Sequence, residues 1–274
     1  MKILTYGDFI KEGTYKVLSK FNKAVNFIDR NSIVSIVDKT IGSGPINIVV
    51  DDFRSNKFNT LIITPNEIVL NNTKFYREQV NMYNSSIAIM EFEGDLFKHN
   101  LEVFENSLIQ FSPSKSLVFL LDEKRKAYFK TSFEIEFVKR IERGANNLIS
   151  FKIDDGVKQI KGSGFGLTPS GDDFLVGLLI ALNVRHKIFG DKCTESINRI
   201  YSCAVGENPL INIYLDCAKN GKLFKTMKHL VETLLLNNVK EIERLTQMLC
   251  EIGETSGADT AVGLLLGLKM REKW

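Results

Sequence analysis

Lys161-Gly162-Ser163-Gly164-Phe165-Gly166-Leu167-Thr168-Pro169-Ser170-Gly171-Asp172-Asp173 runs directly into the apolar segment 174–182. Three glycines on alternate positions, followed by Thr-Pro and Ser-Gly-Asp-Asp, predict a flexible loop that delivers a helix start. Such an end carries unpaired N–H groups and a partial positive charge, which suits a carboxylate or phosphate. Working outward, the same device returns near the C-terminus. Ser170-Gly171-Asp172-Asp173-Phe174-Leu175-Val176-Gly177-Leu178-Leu179 aligns with Ser256-Gly257-Ala258-Asp259-Thr260-Ala261-Val262-Gly263-Leu264-Leu265, and Thr168 and Thr255 stand just upstream. Seven matches in ten positions make an internal repeat.

Each copy contains Ser-x-x-Asp, so Ser170 and Ser256 can cap their helices while Asp173 and Asp259 reach back to the cap. Thr168-Pro169 offers a competing cap. Four residues beyond each aspartate lies a glycine, and four further a second small residue: Gly177 with Ala181, and Gly263 with Gly267. Residues four apart share a helix face, and a helical glycine costs about 1 kcal/mol relative to alanine. The pattern therefore predicts that these two helices pack on each other and bring both Ser-Gly-x-Asp starts together. By the symmetry of the repeat, losing Asp173 or Asp259 is expected to do similar damage.

Upstream, residues 8–29 space their apolar positions as a helix would. From residue 32 the texture becomes β-branched, with strands expected at 32–37, 46–51, 60–64 and 67–70, the last pair forming a hairpin through Pro65-Asn66. A further strand is expected at 87–92, and helices at 96–111 and 131–148. The run 117–121 is ambiguous. After the glycine loop the strand signals vanish, and helices are expected at 171–187, 192–205, 209–220, 223–236, 239–252 and 257–270. Asn208-Pro209 gives the third of these an Asn cap with Pro at the first turn. The fold class is thus α+β, with a β-rich part over 1–155, flanked by helices, and an all-helical part over 156–274.

At 274 residues with 44% hydrophobic and 25% charged residues, the chain has a globular composition. A formal net charge of +3 with dispersed lysines gives no footprint for nucleic acid or a membrane surface. The longest apolar run is too short to span a bilayer. The N-terminus lacks a leader pattern, so a cytoplasmic location is expected. Cys193, Cys203, Cys217 and Cys250 show no metal spacing and read as reduced thiols. His99, His186 and His229 fall in unrelated contexts, with no nucleophile signature.

The chemistry therefore concentrates at the two starts. Gly162, Ser163, Gly164, Gly166, Thr168, Ser170, Gly171, Thr255, Ser256, Gly257 and Asn208 are the candidate substrate-binding residues. Asp172, Asp173 and Asp259 are the candidate catalytic ones, unless they only cap helices or face solvent. Near helix N-termini they are expected to be ionised, as hydrogen-bond acceptors or ligands of a divalent ion such as Mg or Mn. Lys161 would balance a phosphate or simply be solvated. A small anionic substrate that also carries an amide would satisfy both the N–H donors and the carboxylates.

Gly-x-Gly-x-Gly-Leu-Thr-Pro-Ser-Gly-Asp-Asp-Phe-Leu-x-Gly, together with the late Thr-Ser-Gly-x-Asp-x-x-x-Gly-Leu-Leu, resembles the bacterial AllH-type family, which includes a subunit of oxamate carbamoyltransferase from allantoin degradation. Some members carry a carboxylase label. Gly44-Pro45 resembles a weaker element of that family. The resemblance implies carbamoyl exchange, oxalurate and phosphate giving oxamate and carbamoyl phosphate, with other carbamoyltransferase subunits as partners. It also implies that the 162–166 loop holds an anionic end while Asp173 and Asp259 accept from an amide nitrogen. One departure stands out: where the family shows Thr-Asn-Pro-Ile-Ser, this chain has Glu207-Asn208-Pro209-Leu210-Ile211, without either hydroxyl. A non-catalytic anion-binding or assembly subunit, and a metal-dependent carboxylase-like enzyme, are the alternatives.

Overall fold

A computed structural model describes residues 1–88, 91–164 and 167–270. The fold is α+β, and the chain forms two compact units: 1–86 with 222–225, and 87–221 with 226–274.

The first unit is a nine-stranded sheet. Its strands are β1 (Ile3–Gly7), β2 (Gly13–Lys20), β3 (Ala24–Asp29), β4 (Ser32–Asp38), β5 (Asn47–Val50), β6 (Thr60–Ile63), β7 (Glu67–Leu70), β8 (Thr73–Tyr76) and β9 (Asn81–Tyr83). They lie in the order β8-β7-β6-β2-β3-β4-β5-β1-β9, with β4–β5 and β1–β9 parallel and the other pairs antiparallel. β4 is a central strand whose five interior residues are all buried; four are β-branched apolar side chains, and the fifth, Ser35, donates its hydroxyl to Asn26 Oδ1 at 2.8 Å. β6 and β7 form the expected hairpin, with Leu61 opposite Leu70 and Ile63 opposite Ile68. Val25, Phe27, Val34, Ile36, Ile48 and Leu61 make the centre of this unit's core.

Residues 8–29 do not form the expected helix; they supply β2 and β3, which pair antiparallel. A turn closed by Phe21 N–H to Ala24 O at 2.8 Å separates them. The apolar positions in this stretch fit either period. Val25 and Phe27 alternate inward to full burial, and pairing with β4 and β6 decides the outcome. Arg30, at φ 53°, makes the tight turn into β4, a turn that no glycine announces. Residues 222–225 return to this unit: Leu223 N–H donates to Ser85 O at 2.9 Å, and Lys222 Nζ lies 2.7 Å from Asp8 Oδ2. The expected strand at 87–92 includes residues outside the described set.

The second unit is helical: α1 (Gly94–Phe111), α2 (Ser132–Ile149), α3 (Ile153–Ile160), α4 (Ser170–Val184), α5 (Thr194–Ala204), α6 (Pro209–Lys219), α7 (Lys225–Leu234), α8 (Val239–Cys250) and α9 (Ser256–Lys269). The ambiguous run forms a 3-10 turn, Leu117–Leu120. α2 starts with a full capping box, Thr131 with Glu134. α3 was not foreseen in the sequence; it is short, and its last turn abuts the glycine loop. α4 and α9 are apolar on nearly every face and lie together at the centre of the unit. A π-helical turn, Arg185–Phe189, follows α4. The buried Arg185 pairs with Asp191 at 2.6 Å and donates to the Leu268 and Met270 carbonyls, closing the C-terminal end of α9. The four cysteines are free thiols. Among the described residues no helix is long and apolar enough to cross a membrane.

Candidate functional site

The two repeats meet through their glycines. A Cβ on Gly177 would lie 1.9 Å from Thr260 O, and one on Gly263 would lie 2.1 Å from Phe174 O. These are two equivalent contacts, one made by each repeat, and at both only glycine allows the two backbones this separation. Gly267 meets Ala181 in the same seam. The packing therefore matches what the spacing of small residues predicts.

The capping differs from expectation. Ser170 and Ser256 are the first helical residues, and the N-caps are Pro169 and Thr255, neither making a side-chain cap bond. The Asp173 N–H donates to Pro169 O at 3.1 Å, and the Asp259 N–H to Thr255 O at 2.9 Å. With the backbone closing each first turn, the serine hydroxyls are free to cross to the other repeat. Ser256 and Thr168 present hydroxyls to the Asp173 carboxyl, and Ser170 and Thr255 to that of Asp259. Thr168 Oγ1 and Ser256 Oγ stand 2.6 Å apart. The starts thus interlock, each aspartate facing the serine of its counterpart.

The carboxyls are also pushed away from the charged form that helix starts favour. Asp173 is 5% exposed and Asp259 0%. Burial is the largest influence on each. It raises Asp173 well above the usual carboxylate range, with the charges of Asp259 and Asp172 adding to the rise and the hydroxyls of Ser256 and Thr168 opposing it. Burial pushes Asp259 up to about 7 against the Leu117 N–H and the hydroxyls of Ser170 and Thr255. Asp172 is raised by burial, opposed by the Gly162 N–H and the Lys161 charge. Desolvation outweighs the helix dipole because these starts are in the interior, where the dipole is a modest influence.

The backbone N–H groups of Gly162, Ser163 and Gly171 are used within the protein. Gly162, at φ 67°, donates its N–H to Asp172 Oδ1 at 2.9 Å. The Ser163 N–H goes to Ile160 O, its hydroxyl to Gln159 O, and the Gly171 N–H to Ser163 O at 2.7 Å. Gly164, at φ 126°, lies against Ser170: a Cβ there would be 2.5 Å from the Ser170 nitrogen. In the second copy the Gly257 N–H goes to Ile252 O. Gly166 lies outside the described residues. Lys161 does not face an anion; its ammonium donates to the Cys203 and Val205 carbonyls at the end of α5. Asn208 caps α6 as expected, and its amide donates to Leu167 O at 3.1 Å, tying a third helix start to the loop.

What the arrangement leaves over is acceptor capacity. Asp173 Oδ2 and Asp259 Oδ2 are buried without a hydrogen-bond partner among the described residues. Such atoms are costly unless paired or protonated. Among the described residues no group of three His, Cys, Asp or Glu side chains is placed to hold a metal ion. Asp172 turns to Gly162, which leaves a Mg or Mn ion without a converging carboxylate set. A cavity of about 890 Å³ along α5, lined by Ile153, Arg199, Tyr201 and Lys219 among others, includes none of the three aspartates. Two neighbours of the site had no signal in the sequence. The Leu117 N–H donates to Asp259 Oδ1 at 2.6 Å, and Tyr214 of α6 lies close enough to Asp173 for its phenol to be raised by that charge as well as by burial.

Residues 160–268, which contain both starts and α5 to α8 between them, match the family model described as oxamate carbamoyltransferase subunit AllH. No curated protein and no solved structure matches the chain.

Proposed function

We propose, from that family match, that this chain is a subunit of an oxamate carbamoyltransferase and that its interlocked helix starts hold the amide end of the substrate. The observation that carries the reading is the buried Asp173 Oδ2, without a hydrogen-bond partner among the described residues, beside loop N–H groups of Gly162, Ser163 and Gly171 already in use. A site of this kind selects an N–H donor over a bare anion. Oxamate and carbamoyl groups carry a primary amide, whose N–H groups pair with a carboxylate and whose C=O pairs with a carboxylic acid.

In phosphorolysis of oxalurate a phosphate oxygen attacks the carbamoyl carbon, the C–N bond to the oxamate nitrogen breaks, and that nitrogen takes up a proton. A buried carboxyl raised toward neutrality, as Asp173 is, suits both holding the nitrogen and supplying that proton. Positioning rather than a covalent nucleophile accounts for the rest of the barrier.

Phosphate-dependent formation of oxamate and carbamoyl phosphate from oxalurate tests this, with the chain alone and co-produced with its partner subunits. Turnover is expected in the assembled protein. Absence of both turnover and oxamate binding in every combination would refute the reading. A second reading, a non-catalytic assembly subunit, draws on the burial of both carboxyls and on Glu207 and Ile211 lacking hydroxyls. It predicts full turnover in an assembly carrying Asp173→Asn.

A further inference from the structure

We propose that the two repeats have divided their roles: Asp173 is the carboxyl that meets the ligand's amide, and Asp259 is a positioning residue that pins the start of α9 to the Leu117–Leu120 turn. The identity of the ligand rests on the carbamoyltransferase reading, whereas the division of roles stands on the geometry of the pair.

The repeat makes Asp173 and Asp259 equivalent in sequence, yet their surroundings differ in kind. Asp259 is wholly enclosed, and its Oδ1 accepts the main-chain N–H of Leu117 at 2.6 Å. Leu117, Val118 and Phe119 are themselves buried, so that N–H has no water to turn to. Exchanging it for a ligand would require the main chain of the turn to move. Among the described residues, Asp173 has no such main-chain donor in its hydrogen-bonding surroundings. The groups facing it are side chains: the Thr168 and Ser256 hydroxyls, themselves half-buried and 2.6 Å apart, and Tyr214 on α6. Hydroxyls change partners by bond rotation alone, so an incoming N–H group can replace them at little cost.

Both carboxyls keep an Oδ2 without a partner among the described residues, but that of Asp259 belongs to a fully enclosed side chain, whereas Asp173 is 5% exposed behind this movable hydroxyl pair. The charged and titratable groups facing it are Asp172 on its own helix, Asp259 on α9 and Tyr214 on α6. Three neighbouring carboxyls, Asp172, Asp173 and Asp259, set negative charge against a second carboxylate to the extent that they ionise, which favours a neutral primary amide at this point. Oxamate and oxalate differ in this one group and are the natural pair of probes.

The test is titration calorimetry of the co-produced assembly with oxamate and with oxalate, together with thermal unfolding of the chain. Asp173→Asn presents an N–H donor where the ligand needs an acceptor. It is expected to weaken oxamate binding by about tenfold or more while leaving the unfolding temperature near that of the wild type. Asp259→Ala strands the Leu117 N–H and is expected to lower the unfolding temperature by several degrees, and Asp259→Asn, which retains an acceptor, to restore it and to bind oxamate as the wild type does. Loss of oxamate binding in Asp259→Asn with retention in Asp173→Asn would overturn the division. An Asp259→Ala melt equal to the wild type would overturn the positioning role alone. A wild-type assembly that binds no oxamate would overturn the carbamoyl reading and the ligand role of Asp173 together, while the melts still decide the role of Asp259.

Discussion

Replacing Gly263 by alanine sets two physical effects against each other with opposite sign. Helix propensity alone favours alanine by about 0.8–1 kcal/mol. The packing opposes it: the new methyl would sit 2.1 Å from the Phe174 carbonyl oxygen and 2.9 Å from its carbon, both backbone atoms of the buried helix α4. To reach ordinary contact the two helices would have to part by about 1 Å, and the overpacking cost of such a shift in a filled core is about 1–3 kcal/mol or more. Separation also loosens the seam on both sides, where Gly177 approaches Thr260 O and Gly267 approaches Ala181. The net expectation is destabilisation by about 1–2 kcal/mol, an unfolding temperature lower by roughly 2–8 °C, and a reduced urea midpoint. Gly94→Ala is the internal control: it sits at the first residue of α1 with nothing within 4 Å of the added methyl, so it is expected to leave stability unchanged or raise it slightly. A Gly263→Ala protein at least as stable as the wild type would refute the close-packing account of the repeat, and Gly177→Ala is expected to behave as Gly263→Ala does.

The raised carboxyls give a pH dependence of definite sign. Asp259 titrates at about 7 in the folded protein against 3.8 unfolded, so the folded state binds the extra proton between those values. Its contribution to stability falls as pH rises from about 4 to about 7 and is level above that. Asp173 acts in the same direction. Urea melts across this range are expected to show the decline, and Asp259→Asn to flatten it. At the far end of the seam, Arg185→Met leaves Asp191 buried without its cation and uncaps the end of α9. A loss of about 3–5 kcal/mol is expected by the same melts, and wild-type stability would show that the pair is dispensable.

Much of the site was legible before the fold was known, because it is written in local chemistry. Gly177 and Gly263 recur at one spacing from Asp173 and Asp259, and a helix has only one way to use small residues four apart. Asn208-Pro209 marks a helix start by capping chemistry that needs no tertiary partner. The hairpin of β6 and β7 was readable for the same reason. Residues 8–29 were not, since their apolar positions serve a period of two as well as 3.6 and only the flanking strands choose between them. Nor could the sequence tell that the two helix starts are interior. A cap, a dipole and a glycine loop describe an anion site equally well whether it faces water or protein.

By itself, then, the sequence determined that two copies of one helix start exist and that they pack through their glycines, since spacing on a helix is a local property. Tertiary structure alone decided what those starts offer. Once α4 and α9 are buried, their first turns close on their own backbone and the serines cross to the opposite aspartate. Desolvation then overrides the helix dipole. The Lys161-to-Asp173 stretch, readable in isolation as a cradle of N–H donors, becomes in the fold a seat of carboxyl oxygens, because the N–H groups of Gly162, Ser163, Gly171, Asp172 and Asp173 find partners in the protein itself.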